Sequence, residues 1–382
     1  MTAVLLMTAL LSALLVGRSQ WRELRSLPSP SASAPAAAEV SIIIPARDEA
    51  ENLPCLLTSV RSLASPVLEV IVVDDDSRDG TYEVALAGGA KAVTTRVPPG
   101  WTGKAWASQV GAGIADGRFL LFLDADTVLA PDAVDRLLAR YAETGGLVSV
   151  QPYHEVPTAY EQLSAYFNIV SMMGGGAFGR GATTRPVAFG PCLLTGRTDY
   201  DRVGGHAAVR TNILDDVGLA AAYARLGLPV RCAVGDAAVR MRMYPRGPRQ
   251  LVEGWTKNIA SGAQQADRRA ALATTGWLAA HFAVAAGAVS AALRLVGVGP
   301  QGGVGPGWFW LVAWVAVALQ LRSMVHRIGS FRWWTWALFP LPLIGFGLLF
   351  LRSALLTHGR RSVGWRGRTV ALTHERPVED DR

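Results

Sequence analysis

Residues 118–127 read RFLLFLDADT, an apolar run that ends abruptly in Asp124 and Asp126. Continuous rather than alternating apolar residues mark a strand buried on both faces, as in a parallel sheet covered by helices. Strand neighbours point to opposite faces, but where the strand ends the chain turns, and carboxylates separated by one residue can converge on a hard cation. Ligands in open α/β sheets collect at the carboxyl ends of strands, which is where this pair falls. A D-x-D of this kind also arises as a solvated turn or a helix cap, so its position carries the reading.

Working outward, VSIIIP (40–45), LEVIVVD (68–74) and KAVTTRV (91–97) repeat the short apolar run. Between the first two, Leu53, Leu56, Leu57 and Val60 recur at helical spacing behind Asp48, Glu49 and Glu51, an acidic stretch that suits a helix's first turn. After RFLLFLD, Pro131 at a helix start and Val134, Leu137, Leu138 and Tyr141 on one face repeat the pattern. Repeated βα units predict a doubly wound, mostly parallel α/β domain over residues 40–266. A nicotinamide-dependent oxidoreductase requires a Gly-rich turn after the first strand, whereas this chain has PARDEAEN there; a sugar-phosphate nucleotidyltransferase fails for a similar reason.

The 382 residues are 50% hydrophobic with a mean hydropathy of +0.25, more apolar material than one soluble core needs. Ala3 to Val16 form a candidate anchor over residues 1–17. The run of roughly 14 to 16 residues is short against the about 20 of a span, and no charged region precedes it, which argues against a cleavable signal. Residues 18–39 combine Arg18, Arg22 and Arg25 with SLPSPSASAPAAA, predicted to be a linker without packed structure. Residues 267–358 hold three further stretches (270–298, 308–321 and 333–356), expected to make two to three membrane segments. Trp308, Trp310, Trp333, Trp334 and Trp336 serve as interfacial aromatics. The basic tail is 359–382.

Positive residues beside these stretches place the α/β domain in the cytosol, except that three simple spans would put Arg360, Arg361, Arg366 and Arg368 outside. A re-entrant or interfacial last segment, broken at Pro340 and Pro342, removes the conflict. The net charge of +7 lies beside hydrophobic runs rather than on a polar face, pointing to anionic lipid headgroups and not to nucleic acid. Cys55, Cys192 and Cys232 show neither disulfide nor zinc spacing.

A second acidic cluster, Asp74, Asp75 and Asp76 in VIVVDDDSRDGT, follows the second strand and is closed by the Asp79-Gly80 turn. One of these can cap the next helix; three stacked like charges need a ligand or cation to offset them. Together with SIIIPARDEAENL and FLDADT, these motifs resemble the family 2 glycosyltransferases, whose catalytic domain has the GT-A fold, over about Val40 to Ala266. The resemblance implies that Asp74 and Asp75 contact the nucleoside, and that Asp124 and Asp126 hold Mg²⁺ or Mn²⁺ against the diphosphate. Lys104, in PPGWTGKAWASQVG, matches the family's G-K-x-x-A-x-N lysine and is a further donor-binding residue; Gln109 replaces the Asn and is left out of the site. In NILDDVGLAAAYARLG, Asp216 matches the family's catalytic base while Asp215 replaces a Glu; helix capping and dipole complementarity are the plainer account of both. RQLVEGWTKNIASGA offers Gln250, Trp255 and Lys257 near the site, with Trp255, beside Asp215, an acceptor-side candidate.

P-P-G-W-T-G-K, L-D-D, E-G-W-T-K-N and W-R-G-R look most like the hopanoid- and carotenoid-associated branch of these membrane enzymes. The expected activity is inverting transfer from a nucleotide sugar, UDP-linked by resemblance, to a lipid-phase acceptor such as a carotenoid, a hopanoid or another membrane lipid. The alternatives are a polyprenyl-phosphate sugar synthase and a non-catalytic membrane scaffold.

Overall fold

The computed structural model describes residues 2–179, 186–212, 214–262, 267–298, 305–360, 362–365 and 368–371. The domain boundary expected at 266, the Gly-rich loop and most of the basic tail lie outside them. In chain order the elements are α1 (Thr2–Gln20), β1 (Val40–Ala46), α2 (Leu53–Arg61), β2 (Glu69–Asp75), α3 (Thr81–Ala87), β3 (Lys91–Thr95) and α4 (Gly103–Ile114). Next come β4 (Phe119–Leu123), β5 (Thr127–Leu129), α5 (Ala133–Thr144), β6 (Leu147–Gln151), β7 (Tyr153–His154), α6 (Ala165–Gly174), β8 (Cys192–Gly196) and α7 (Arg197–Arg202). The chain continues with α8 (Asp215–Arg225), β9 (Val230–Val234), β10 (Val239–Met241), α9 (Pro248–Gly262), α10 (Arg268–Leu295), α11 (Gly307–Ile328), α12 (Trp333–Ala337) and α13 (Pro340–Arg360).

Seven strands form one sheet in the order β3-β2-β1-β4-β8-β6-β9. Only β8 runs antiparallel to its neighbours. Alternate residues of one strand enter different cores: Ile42 and Ile44 pack on one face with Val72 and Leu121, and Ile43 on the other with Ile71, Val73 and Phe122. That two-sided burial is why the runs are continuously apolar. Leu53, Leu56, Leu57 and Val60 of α2 and Val134, Leu137 and Leu138 of α5 are buried as their spacing predicts.

Two local expectations change. α2 starts at Leu53, so Asp48, Glu49 and Glu51 precede the helix rather than fill its first turn. Asp48 instead takes φ 51° and accepts a hydrogen bond from Arg78 N at 2.9 Å, and Ala50 N donates to Asp79 at 3.0 Å. These contacts tie the β1–α2 and β2–α3 loops into one rim. Residues 18–39, expected to lack packed structure, lie against the domain: Leu27 and Ala37 join the core beside β1. Proline removes backbone donors here, and α5 supplies replacements. Arg136 donates to the carbonyls of Leu27 and Pro28, and Arg140 to that of Ser26.

The remaining helices form a bundle with apolar outer faces. Leu5 and Leu15 of α1, Leu272 and Val289 of α10, Leu311 and Leu319 of α11, and Leu348 and Leu355 of α13 are all exposed. A belt of that extent is unusual on a protein surrounded by water. Two helices, α10 and α11, are long and apolar enough to cross a membrane; the apolar lengths of α1 and α13 are shorter. Inside the bundle Trp277 donates to Gln320 at 2.9 Å, and Gln320 to Leu14 O at 2.7 Å, which joins α10, α11 and α1.

The last segment is a hairpin. It leaves the α/β domain at Arg332, whose N–H donates to Gln162 at 2.8 Å. Ala337 O accepts from Trp314 at 2.9 Å, and Phe339 packs beside Trp314 and His281, toward the middles of α11 and α10. Pro340 and Pro342 then open α13, which returns until Ser353 donates to Thr256 O of α9 at 2.9 Å. Both limbs of the hairpin are thus bonded on the domain side.

Leu27→Ala is expected to cost about 2 to 4 kcal/mol, the range for truncating a buried leucine, measured by thermal unfolding in detergent; a change within about 0.5 kcal/mol, as at a surface position, would return residues 18–39 to linker status.

Candidate active site

The carboxyl ends of β1, β2 and β4 open onto one cavity of about 940 Å³. Asp124 follows β4 directly. Its N–H donates to Pro191 O and its carbonyl accepts from Thr127 Oγ1 at 2.8 Å, a tight turn that leaves Asp124 and Asp126 both lining the cavity. Asp75, at the end of β2, lines it too, whereas Asp74 does not. Asp74, on the other face of the strand, accepts from Ser77 N at 3.3 Å.

Lys104 sits in the first turn of α4. Its Nζ lies 2.6 Å from Asp124 Oδ1 and 3.4 Å from Gly190 O. Burial opposes its charge, but Asp124 and Asp215 outweigh that and raise its pKa. Although 37% of the side chain faces open space, the ammonium stays charged throughout the physiological range.

Asp215 and Asp216 open α8. Neither is the residue before the helix, so the capping account gives way to a specific arrangement. Asp216 Oδ2 accepts from Gly190 N at 2.8 Å and Oδ1 from Val217 N at 2.9 Å. Burial, reinforced by the charge of Asp215 and opposed by Lys104, pushes Asp216 up to about 6. Asp215 lies 3.9 Å from His206 Nε2. Burial lowers His206 to about 4, so this approach is dipolar and not an ion pair at neutral pH.

The cavity thus brings together Asp75, Lys104, Asp124, Asp126, Asp215, Asp216, Gln250 and Trp255 from the residues singled out by sequence. Trp255 is wall rather than ligand at its polar edge: the ring stacks on Phe167 at 4.7 Å, and Nε1 donates to Ser164 at 3.1 Å. The Lys257 side chain lies outside the described residues. Gln109 accepts from Ala207 N at 3.0 Å, a contact that holds α4 in place and explains its absence from the site.

Sequence reasoning missed several lining groups. Arg47 donates to Asp75 O at 2.6 Å and stands 3.6 Å from its carboxylate. Gly190 leaves so little room that a Cβ would fall 3.1 Å from both Asp216 Oδ2 and Lys104 Nζ; the Gly190-Pro191 pair was a readable turn signal. His154, held neutral by burial with its pKa near 4, lies 2.9 Å from Gln151 and 3.3 Å from Asn168. No pattern in the sequence marks these three as neighbours.

Two carboxylates at a strand end fit a hard divalent cation. Mg²⁺ is commonly held by one or two carboxylates with substrate phosphates completing the shell, and among the described residues no third acidic, His or Cys ligand joins Asp124 and Asp126.

Because Lys104 lowers and Asp215 raises the Asp216 pKa, Lys104→Met is expected to move it further above about 6 and Asp215→Asn to bring it back toward 4. ¹³C NMR titration of labelled aspartates reads both; shifts of the opposite sign would dissolve the three-residue coupling.

Residues 41–217 match the model of glycosyl transferase family 2. The chain is 34% identical over 344 residues to 4,4'-diaponeurosporenoate glycosyltransferase of Staphylococcus aureus strain MRSA252, covering 88% of this chain and 89% of that protein. Its USA300 counterpart is 33% identical over the same shares. A mannosyltransferase from Pyrobaculum calidifontis, solved with GDP-Man and Mn²⁺, superimposes with a TM-score of 0.55 at 18% identity, covering 94% of this chain and 98% of the other. That likeness shows the GT-A fold alone. A relative this similar over nearly the whole length, on a domain whose strand ends carry the motifs described, settles the family: the chain is a glycosyltransferase and belongs to family 2.

Proposed function

We propose that the protein is an inverting, divalent-cation-dependent transferase that moves a sugar from a nucleotide sugar to an oxygen on a lipid-phase acceptor, working at the cytosolic face of the cell membrane. One observation carries this reading. The cavity that holds the carboxylates is continuous with an apolar limb lined by Leu278, Phe282, Phe346 and Phe350 from the helical region. A polar donor and an apolar acceptor can therefore meet in one space without either crossing the other's medium. Relatives named for 4,4'-diaponeurosporenoate support an acceptor of that kind, and the fold relative solved with GDP-Man and Mn²⁺ supports the donor and the cation.

Asp216 is the proposed base. Its oxygen takes the acceptor's proton while the acceptor oxygen attacks the anomeric carbon from the face opposite the nucleotide; the bond to the diphosphate breaks and its electron pair leaves with the diphosphate. A pKa near 6 keeps Asp216 ionised at neutral pH yet more basic than an ordinary carboxylate. Lys104 donates to the diphosphate from the first turn of α4, where unpaired N–H groups also favour an anion. Asp124 and Asp126 would hold Mg²⁺ or Mn²⁺, which supplies charge neutralisation at the leaving group. Asp75 and Arg47 form the proposed nucleoside wall, with Asp74 supporting its turn. Among the described residues only Arg47 and Lys104 bring positive charge to the cavity, and both already face carboxylates. That favours a hydroxyl or carboxyl acceptor over a polyprenyl phosphate.

The basic residues Arg18, Arg22, Arg268, Arg269, Arg322 and Arg327 lie at the domain ends of α1, α10 and α11, the arrangement expected when that end is cytosolic. The hairpin of α12 and α13 turns back toward the same side, which supports a re-entrant last segment.

Incubating membranes holding the protein with radiolabelled nucleotide sugars and extracting lipids tests the reading: label is expected in the lipid phase, and lost with EDTA. No lipid labelling from any nucleotide sugar, or full labelling in excess EDTA, would overturn acceptor or cation respectively. Asp216→Asn is expected to lower turnover on a hydroxyl acceptor about 10² to 10⁴-fold, the usual share of a general base, with donor affinity nearly unchanged. The dependence of kcat/KM on pH should fall below about pH 6 in the wild type, because the base must be ionised and its pKa is raised to about 6. Turnover within a few-fold of wild type would remove Asp216 from the chemistry.

A further inference from the structure

We infer that the acceptor enters sideways from the membrane, through a portal between α10 and α13 whose width is set by Gly347 and Phe282, so that only the reactive end of an extended apolar chain is enclosed. The inference rests on the proposed lipid acceptor and adds how that acceptor is admitted and which part of it is recognised.

Three observations on different elements carry it. First, the apolar limb follows α10 from Ala271 to Phe282, about 16 Å at 1.5 Å per residue. That length encloses part of a long hydrocarbon and no more. Second, Phe282 and Phe350 line the limb and are 39% and 48% exposed. Lining rings this exposed mark the part of the cavity that is open rather than enclosed. The neighbouring outer residues Leu348 and Leu351 are apolar and exposed, so the opening faces hydrocarbon. Third, opposite Phe282 on α13 the chain has Gly347, where a Cβ would come within 3.2 Å of Phe282 Cζ. A glycine inside a helix costs about 1 kcal/mol against alanine; here the Phe282 ring rests directly on it, so the passage opens as far as that ring turns away.

The occupant is therefore a chain-terminal hydroxyl or carboxyl on an unbranched or lightly branched apolar chain. The end reaches Asp216, the first stretch lies along α10, and the remainder stays in the bilayer. The hairpin forms one jaw of the portal and the membrane-length α10 the other; Ser353 bonded to α9 fixes the jaw's lower end.

Gly347→Leu places a branched side chain in the gap. Its kcat/KM for a long-chain alcohol in vesicles is expected to fall at least about tenfold, the scale on which a few misplaced methylenes discriminate in an apolar pocket. Transfer to a short alcohol of about eight carbons, which fits within the limb, should be much less affected. Adding Phe282→Ala to Gly347→Leu reopens the gap and should restore most of the long-chain activity, which a folding defect would not do. Equal losses on both acceptors without rescue, or no loss on either, would overturn the portal. If the wild type labels neither alcohol, the lipid-acceptor reading itself fails, which is a different result from a wild type that labels both while the variants do not discriminate.

Discussion

The 2.6 Å contact between Lys104 and Asp124 is the interaction on which the site's electrostatics depend. Asp75, Asp124, Asp126, Asp215 and Asp216 face one cavity whose described cations are Lys104 and Arg47. Like charges so placed raise one another's proton affinity, yet Asp216 rises only to about 6 because Lys104 holds it down. Excess negative charge in an enclosed space favours cations, and the proposed metal ion would supply them.

That arrangement depends on the sheet. β4 delivers Asp124, β2 delivers Asp75, and the Gly190-Pro191 turn before antiparallel β8 brings a backbone N–H to Asp216 and a carbonyl toward Lys104. The loop that leads into β8 thus touches residues from both α4 and α8. A side chain at Gly190 would press on Asp216 and Lys104 together.

Much of this was legible in the sequence, for identifiable reasons. Strands β1, β2 and β4 announced themselves because both faces are buried, and α2 and α5 because one face is; β3, read as a similar run, is a half-exposed edge strand. The two acidic clusters were found because they end such strands. What escaped was decided by tertiary contact. Asp48, Glu49 and Glu51 look like a helix start but serve a loop rim; residues 18–39 look disordered by composition, yet Arg136 and Arg140, more than a hundred positions away, satisfy their carbonyls. His154, Gln151 and Asn168 meet only after β6, β7 and α6 are placed, so no local pattern could reveal them.

The junction of domain and helices joins the polar and apolar parts of one cavity. Gln162, fully buried, donates to Val156 O and accepts from Arg332 N and Thr335 Oγ1, so one side chain fastens the domain to the start of the hairpin. Glu161 beside it is bonded to Arg242 and Thr158. Buried polar groups satisfied on every side hold one geometry and resist sliding. A loose tether would let the apolar limb drift from Asp216 by an ångström or more, enough to lose much of the advantage of a positioned acceptor. The helices therefore act as more than an anchor. They complete the apolar side of the cavity, and on the proposed reading their rigid attachment keeps the acceptor's oxygen in register with Asp216.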